Sequence, residues 1–105
     1  MTTFDKREEG FEKKFALDEE QRFKAEARRN KLLGLWAADL LGKTGDDAAA
    51  YAKEVVASDF DEAGDNDVMR KVAKDLAAKG VTEQQVRVKM DELVATAVAQ
   101  IKAGQ

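Results

Sequence analysis

Residues 32–45 read LLGLWAADLLGKTG, and this stretch decides the fold. Its apolar side chains recur every three or four residues, as they do on one face of an α-helix. They are Leu32, Leu33, Trp36, Ala37 and Leu40. Gly42 follows this run and suits the left-handed conformation that ends a helix, and Thr44 can cap the start of another. The stretch therefore predicts two helices joined by a short connection, packed side by side.

Similar signals divide the rest of the chain. Gly64 and Gly80 each follow an apolar periodic run, so with the glycine above they mark three helix ends and imply four helices. Asp65 can cap the third helix, and Thr82 with Gln85 has the capping-box spacing at the fourth. The apolar faces of helices two, three and four comprise Tyr51, Ala52, Val55, Val56 and Phe60; Val68, Met69, Val72, Ala73 and Leu76; and Val86, Met90, Leu93, Val94, Ala97 and Ile101. These features predict an all-α four-helix bundle.

Composition supports a helical fold and excludes several classes of function. The 105 residues include no proline, and 44% are apolar, which is enough for one modest core. Without cysteine or histidine the chain cannot form disulfides, the usual zinc sites or a Ser/His/Asp arrangement. The net charge of -3 opposes binding to nucleic acid. The N-terminus lacks an apolar signal region and no window is long enough to span a membrane, so we expect a soluble cytoplasmic protein without direct membrane insertion.

The first helix differs from the others in its expected length. Helical propensity is continuous from residue 4 to residue 41, apart from Gly10 and Gly34, and such a helix would reach about 55 Å. The other three helices would reach roughly 25 to 35 Å, so this long first helix would overhang them. Phe23 and Ala25 flank the part that matches the other helices, and we expect both to help complete the core.

The overhanging segment carries three phenylalanines among dense charges. Phe11 and Phe15 each fall within about 20° of Phe4 in helical phase. A frayed polar tail is one interpretation, because termini without contacts are often disordered. The aromatic stripe favours another, a flexible segment that is disordered or weakly helical when free and becomes ordered in a partner's groove. We therefore divide the chain into an N-terminal arm, residues 1–19, and a four-helix bundle, residues 20–105.

The densest basic cluster lies in the first helix. Lys24, Arg28, Arg29 and Lys31 precede the only tryptophan, Trp36. A solvated helical face supported by ion pairs four residues apart would account for this cluster. Guanidinium groups with an aromatic ring nearby also suit a nucleotide, whose phosphates they bind and whose base the ring stacks on. Arg28, Arg29 and Lys31 are then the candidate phosphate ligands, whereas Trp36 lies on the apolar phase and fits the core better.

Two further motifs imitate known sites. The tripeptide GKT at residues 42–44 ends like a phosphate-binding loop, but that loop needs another glycine where Ala37 stands and a strand before it. We interpret these residues as a helix end followed by a helix start. The run DFDEAGDND at residues 59–67 imitates a calcium loop but lacks the ligand at position five and the final glutamate. We interpret this run as an acidic turn and predict no metal.

Two longer runs carry a resemblance to a known family. They read FALDEEQRFKAEARRNKLLGLWAADLLGKTG at residues 15–45 and AAAYAKEVVASDFDEAGDNDVMRKV at residues 48–72. The chain resembles the zeta subunit of the alphaproteobacterial F-type ATP synthase over essentially its whole length. The resemblance implies a four-helix bundle whose N-terminal segment inserts into a catalytic interface of the synthase head and blocks rotation in the direction of ATP hydrolysis. It also implies weak binding of ADP or ATP on the bundle, with no required cofactor.

The resemblance assigns the inhibitory contacts to the arm. In this chain they fall on Phe4, Asp5, Arg7, Phe11, Lys14 and Phe15. The phenylalanines would be buried anchors, and the charged residues would set orientation and register. The implied partners are the alpha, beta and gamma subunits of the head, at the cytoplasmic face of the membrane-bound synthase, and the free protein is expected to be a monomer. Gly10 and Leu17 depart from the family pattern, in which alanine and histidine are common at these positions.

Three classes of function follow from these patterns. The leading hypothesis is a non-enzymatic regulatory subunit that limits ATP hydrolysis. The alternative is a nucleotide-sensing helical adaptor whose arm binds another protein. An enzyme comes third, because catalysis would rest on carboxylates and lysines without any visible pairing that would shift their pKa values.

Overall fold

Four α-helices make up most of the chain that the structure describes. A computed structural model describes residues 17–59 and 66–104. The helices are α1 (Glu19–Leu40), α2 (Gly45–Ala57), α3 (Asn66–Leu76) and α4 (Glu83–Lys102), and a 3-10 turn (Ala77–Lys79) follows α3. The described residues contain no β-strand. The prediction of an all-α four-helix bundle is confirmed.

The first helix begins at Glu19. Asp18 caps it in an extended backbone conformation, with φ −78° and ψ 174°. The Asp18 carboxylate accepts a hydrogen bond from the Gln21 N–H at 2.7 Å, and Gln21 Oε1 accepts one from the Asp18 N–H at 3.3 Å. Because this capping box ends the helical backbone, the expectation of one unbroken helix from residue 4 to residue 41 is wrong at Asp18. With 22 residues, α1 is still the longest described helix.

Other predicted helix ends are confirmed where the structure describes them. Gly42 and Gly80 both have a φ of 77°, the left-handed conformation expected just after a helix. Thr82 and Gln85 form the predicted capping box at the start of α4. The signals at residues 64 and 65 lie outside the described residues.

One apolar core lies between the helices. Its largest buried apolar side chains are Leu33, Val55, Val68, Val72, Leu76, Val86 and Met90. Trp36 packs half-buried against this core, as predicted. Two expectations for α1 are wrong, because Phe23 is 71% exposed and Leu40, the last residue of the helix, is 38% exposed.

A second, smaller apolar cluster lies at the other end of α1. Leu17 is buried there against Ala25 of α1 and Val98 of α4, with Val94 and Ile101 packed around them. Leu17 is therefore part of the packed bundle, although it precedes the first helix.

The first two helices approach each other closely at Gly34. A Cβ atom at this position would lie 2.7 Å from Ala52 Cα and 3.2 Å from the Cβ atoms of Ala52 and Val55. Carbon atoms in contact are ordinarily about 3.5 to 4 Å apart, so a side chain does not fit. The crossing of α1 and α2 therefore requires glycine, although glycine weakens a helix interior by about 1 kcal/mol.

A small polar cluster joins α2 to α3. Tyr51 donates its hydroxyl hydrogen to Asp75 Oδ2 at 2.8 Å, and Lys71 Nζ donates to the same oxygen at 2.9 Å. Lys71 Nζ also lies 5.2 Å from the centre of the Tyr51 ring and 3.9 Å from Glu54 Oε2. One cation thus holds two carboxylates and one phenol together across the helix contact.

This cluster shifts two pKa values. Burial raises the pKa of Tyr51 well above its ordinary value, and the hydrogen bond to Asp75 and the charges of Asp75 and Glu54 raise it further. Burial would also raise the pKa of Asp75, but the hydrogen bonds from Lys71 and Tyr51 outweigh burial and lower it. The Asp75 contribution to stability is therefore present above its unfolded pKa of about 4 and is lost as the pH falls below that value.

Gly34→Ala is expected to lower the free energy of unfolding by about 1 to 3 kcal/mol, because the added methyl group forces α1 and α2 apart. Helix propensity alone would make the same substitution stabilising by about 1 kcal/mol. Urea unfolding followed by circular dichroism measures the difference and its sign.

Ala52→Gly provides the matched control for this prediction. It removes the Ala52 Cβ but keeps the Cα, to which the 2.7 Å distance is measured. We therefore expect the double variant to be no more stable than Gly34→Ala alone. A Gly34→Ala protein at least as stable as wild type would contradict the close approach.

Tyr51 is the only tyrosine, so its ionisation can be followed by the ultraviolet absorbance of tyrosinate. It is expected to ionise far above pH 10 in the folded protein and near the ordinary value of about 10 in urea. Because the folded-state pKa is raised, this contribution to stability is fully present below about pH 10 and is lost as the pH rises toward the folded value. Asp75→Asn should move the ionisation back toward the ordinary value. Ionisation of the folded wild type near pH 10 would disprove the cluster.

Candidate functional site

The first helix presents a basic face to solvent. Lys24, Arg28 and Lys31 follow one another at intervals of four and three residues, so they share this face. Lys24 forms an exposed ion pair with Glu20 at 3.0 Å. Arg28 Nη1 donates to Gln100 Oε1 of α4 at 2.8 Å, which ties the guanidinium group to the bundle. Lys31 is exposed.

Two adjoining grooves lie along this face. The basic groove has a volume of about 480 Å³, and its walls include Phe23, Lys24, Arg28, Lys31, Val56 and Ile101. The apolar groove lies between α1 and α2 and has a volume of about 450 Å³. It is lined by Leu35, Ala49, Ala52, Val56 and Ala57, with Lys31 and Lys53 as its charged residues. Lys31 and Val56 line both grooves, so the two form one continuous surface.

Phe23 is the aromatic side chain of the basic groove. Its exposure has a geometric cause, because Asn30 of α1 donates to Asp59, just past the end of α2, at 3.0 Å. Phe23 lies seven residues before Asn30, or about 10 Å along the helix axis, and is therefore beyond the reach of α2. The helical phase of Phe23 had suggested burial, but α2 is too short to cover it.

Arg29 does not share the basic face. It is only 2% exposed, and its Nε donates to Asn30 Oδ1 at 2.9 Å. Successive residues of a helix are about 100° apart, so Arg29 cannot point in the same direction as Arg28 or Lys31. Of the three candidate phosphate ligands, the structure brings Arg28 and Lys31 together and buries Arg29. The Arg29 side chain is bonded to Asn30, whose amide in turn donates to Asp59 past the end of α2.

Trp36 is not part of either groove. It packs against the core, and Lys89 Nζ of α4 lies 5.8 Å from the centre of its ring. Sequence reasoning missed Lys53, which joins the surface from α2. The sequence spacing could have indicated it, because Lys53 and Val56 are three residues apart and therefore share a helix face.

The motifs that imitate known sites have structural explanations where they are described. Gly42 follows the end of α1, and Thr44 is the N-cap of α2, although its side chain makes no capping hydrogen bond. Of the acidic run at residues 59–67, residues 60–65 lie outside the described residues. Within residues 17–59 and 66–104, no three acidic side chains converge to hold a metal ion. None of the helices in these ranges is long and apolar enough to cross a membrane.

The predicted inhibitory contacts also lie outside the described residues. They are Phe4, Asp5, Arg7, Phe11, Lys14 and Phe15. Their roles stay predictions.

Comparison with known proteins adds to this geometry. A family model described as ATPase inhibitor subunit zeta matches residues 1–100. The chain belongs to this family. One solved structure, described as a solution NMR structure of the protein, is 58% identical to this zeta-family chain. The matched region covers 80% of this chain and 98% of the chain in that structure. The TM-score of 0.73 shows that the two chains share the bundle fold. No curated protein matches the chain.

Proposed function

We propose that this zeta-family protein inhibits ATP hydrolysis by inserting its N-terminal arm, residues 1–19, into a catalytic interface of the F-type ATP synthase head. The observation that carries the proposal is the family match, which spans residues 1–100 and so includes the arm as well as the bundle. Membership makes the chain an ATPase inhibitor subunit. The route of inhibition and its contacts are what we propose.

The bundle supports this route by holding the base of the arm. Leu17 is buried against α1 and α4, and Asp18 caps α1 through its bond to the Gln21 N–H. These contacts fix the position of Leu17 and Asp18, to which the inhibitory residues are joined. An arm fixed at its base can enter a cleft while the bundle stays outside.

The composition of the arm suits insertion between protein subunits. Its three phenylalanines, Phe4, Phe11 and Phe15, would fill apolar pockets, and buried aromatic side chains commonly dominate the binding energy of an interface. Asp5, Arg7 and Lys14 would fix the register through charge pairing. We propose the alpha, beta and gamma subunits as partners, at the cytoplasmic face of the synthase.

A regulatory role also fits the chemistry of the described residues. The chain has no histidine or cysteine to act as base or nucleophile. The carboxyl group of Asp75 is engaged by Lys71 and Tyr51, and its pKa is lowered, whereas a general acid at neutral pH needs a raised pKa.

The basic groove is our proposed site for weak adenine nucleotide binding. Arg28 and Lys31 can bind phosphate oxygens, and the exposed ring of Phe23 can stack on a base. The groove is open to solvent, so a bound nucleotide would bury little of its surface, which favours weak affinity. Arg29 would act indirectly, by holding α1 against the end of α2 through Asn30.

Removal of residues 1–16 is expected to abolish inhibition of ATP hydrolysis by the purified head while leaving the bundle folded, because the truncated chain keeps Leu17 and Asp18. Steady-state hydrolysis rates, with circular dichroism as the folding check, measure this. The matched pair is Phe11→Ser in the arm, which should weaken inhibition, and Val88→Ser at an exposed position of α4, which should not.

Equal inhibition by truncated and full-length protein would disprove the inserted arm. If the full-length protein neither inhibits the head nor co-purifies with it, the nucleotide-sensing adaptor becomes the better explanation.

Addition of ADP is expected to shift the amide NMR signals of residues 23–31. Combined Arg28→Gln and Lys31→Gln substitutions should remove most of the shift, whereas Lys74→Gln on the exposed face of α3 should not. Arg29→Gln should instead lower stability, because it leaves a buried hydrogen-bonding partner unsatisfied. Unchanged wild-type spectra at millimolar ADP would exclude this site.

A further inference from the structure

The apolar groove is an uncovered surface on the outside of the bundle. Leu35 is 37% exposed at its edge, and its floor is formed by Ala49, Ala52 and Val56. These side chains are small, so they leave a trough between α1 and α2 in which larger apolar side chains can lie. This shape suits the ridge of an amphipathic helix.

The charges around this trough are unbalanced. Lys31 and Lys53 are both exposed, and the structure shows no ion pair or hydrogen bond for either within residues 17–59 and 66–104. Arg28 adds a third cation in the adjoining basic groove. An occupant of this surface should therefore combine large apolar side chains with acidic ones.

Leu17, to which residues 1–16 are joined, lies next to this surface. Leu17 packs in the cluster that includes Ile101, and Ile101 also lines the basic groove. In a helix, the stripe from Phe4 to Phe15 would be about 16 Å long, and the two grooves extend along α1 from Phe23 to Leu35, which is about 18 Å. The stripe thus matches the grooves in length and starts at one end of them.

The charge pattern of the arm also matches. In helical phase the four acidic residues between Phe4 and Phe15 lie on one flank of the aromatic stripe, between about 40° and 140° from Phe4. They are Asp5, Glu8, Glu9 and Glu12. The four basic residues lie elsewhere, at about 180° to 300°. They are Lys6, Arg7, Lys13 and Lys14.

We propose that, without a partner, residues 4–15 dock as a helix across the basic and apolar grooves of their own bundle. The arm runs antiparallel to α1, with Phe15 near Phe23 and Phe4 near Leu35. Its acidic flank pairs with Lys31 and Lys53. Docking covers the aromatic stripe, so the inhibitory segment cannot bind the synthase head until it is released from the bundle. This last consequence rests on the proposed function, whereas the intramolecular contact does not.

A spin label tests the contact in the full-length protein. The chain has no cysteine, so Thr3→Cys provides a single attachment site at the tip of the arm. In nucleotide-free buffer, the amide signals of Leu35 and Lys53 are expected to lose most of their intensity. The signal of Lys74 on α3 should keep its intensity.

Charge reversal separates docking from random motion of a tethered chain. Lys31→Glu with Lys53→Glu is expected to restore the Leu35 signal, and Lys74→Glu, the matched control on another exposed helix face, is expected to leave it broadened. Adding Glu8→Lys and Glu12→Lys to the groove variant should broaden the signal again. Lys31 and Lys53 are both exposed, and Glu8 and Glu12 precede the buried residue Leu17, so these variants are expected to fold.

Three results would overturn docking. The first is a Leu35 signal that stays sharp in the labelled wild type. The second is broadening that does not depend on the charges of Lys31 and Lys53. The third is broadening of isotope-labelled protein by a spin label on separate molecules, which would make a second copy the occupant. Inhibition assays are not needed for any of these outcomes, so failure of docking and failure of the proposed function are distinguishable.

Discussion

The close contact between Gly34 and Ala52 sets the position of α1 against α2, and the rest of the functional surface depends on it. With a Cβ at residue 34 only 2.7 Å from Ala52 Cα, the two helices would have to separate. Separation would draw Asn30 away from Asp59 and open the trough between Leu35 and Val56. The absence of a side chain at Gly34 thus allows both the buried contact between Asn30 and Asp59 and the apolar groove between α1 and α2.

Successive residues of an α-helix are rotated by about 100°, so the basic residues of α1 do not all lie on the same face. Lys31 is exposed, and the half-buried Arg28 lies in the same groove with one nitrogen bonded to Gln100, so both cations can attract an anion or an acidic helix. Arg29, one residue from Arg28, points inward and contacts Asn30. These three residues, close in sequence, therefore differ in role. Arg28 and Lys31 carry charge at the surface, and the buried Arg29 stabilises the helix contact beneath them through Asn30.

Much of the fold could be predicted from local sequence, because glycine at a helix end and apolar spacing along a helix act over a few residues. The continuous helix expected over residues 4–41 is interrupted at Asp18, because the capping box with Gln21, and not helix propensity, decides where α1 begins. The exposure of Phe23 depends on where α2 ends, and the groove with Lys53 depends on how two helices cross. Neither can be read from one helix alone. Residues 1–16 lie outside the described residues, so their contacts are proposals that rest on composition and family membership.

Insertion of the arm into a catalytic interface is tested most directly by photo-cross-linking from position 11. Benzoylphenylalanine replaces Phe11 in the full-length protein, which is irradiated with the purified head during ATP hydrolysis, and mass spectrometry locates the links. Insertion predicts links to alpha and beta residues at a catalytic interface, formed as hydrolysis stops. Full inhibition with no link from position 11 to that interface would contradict it.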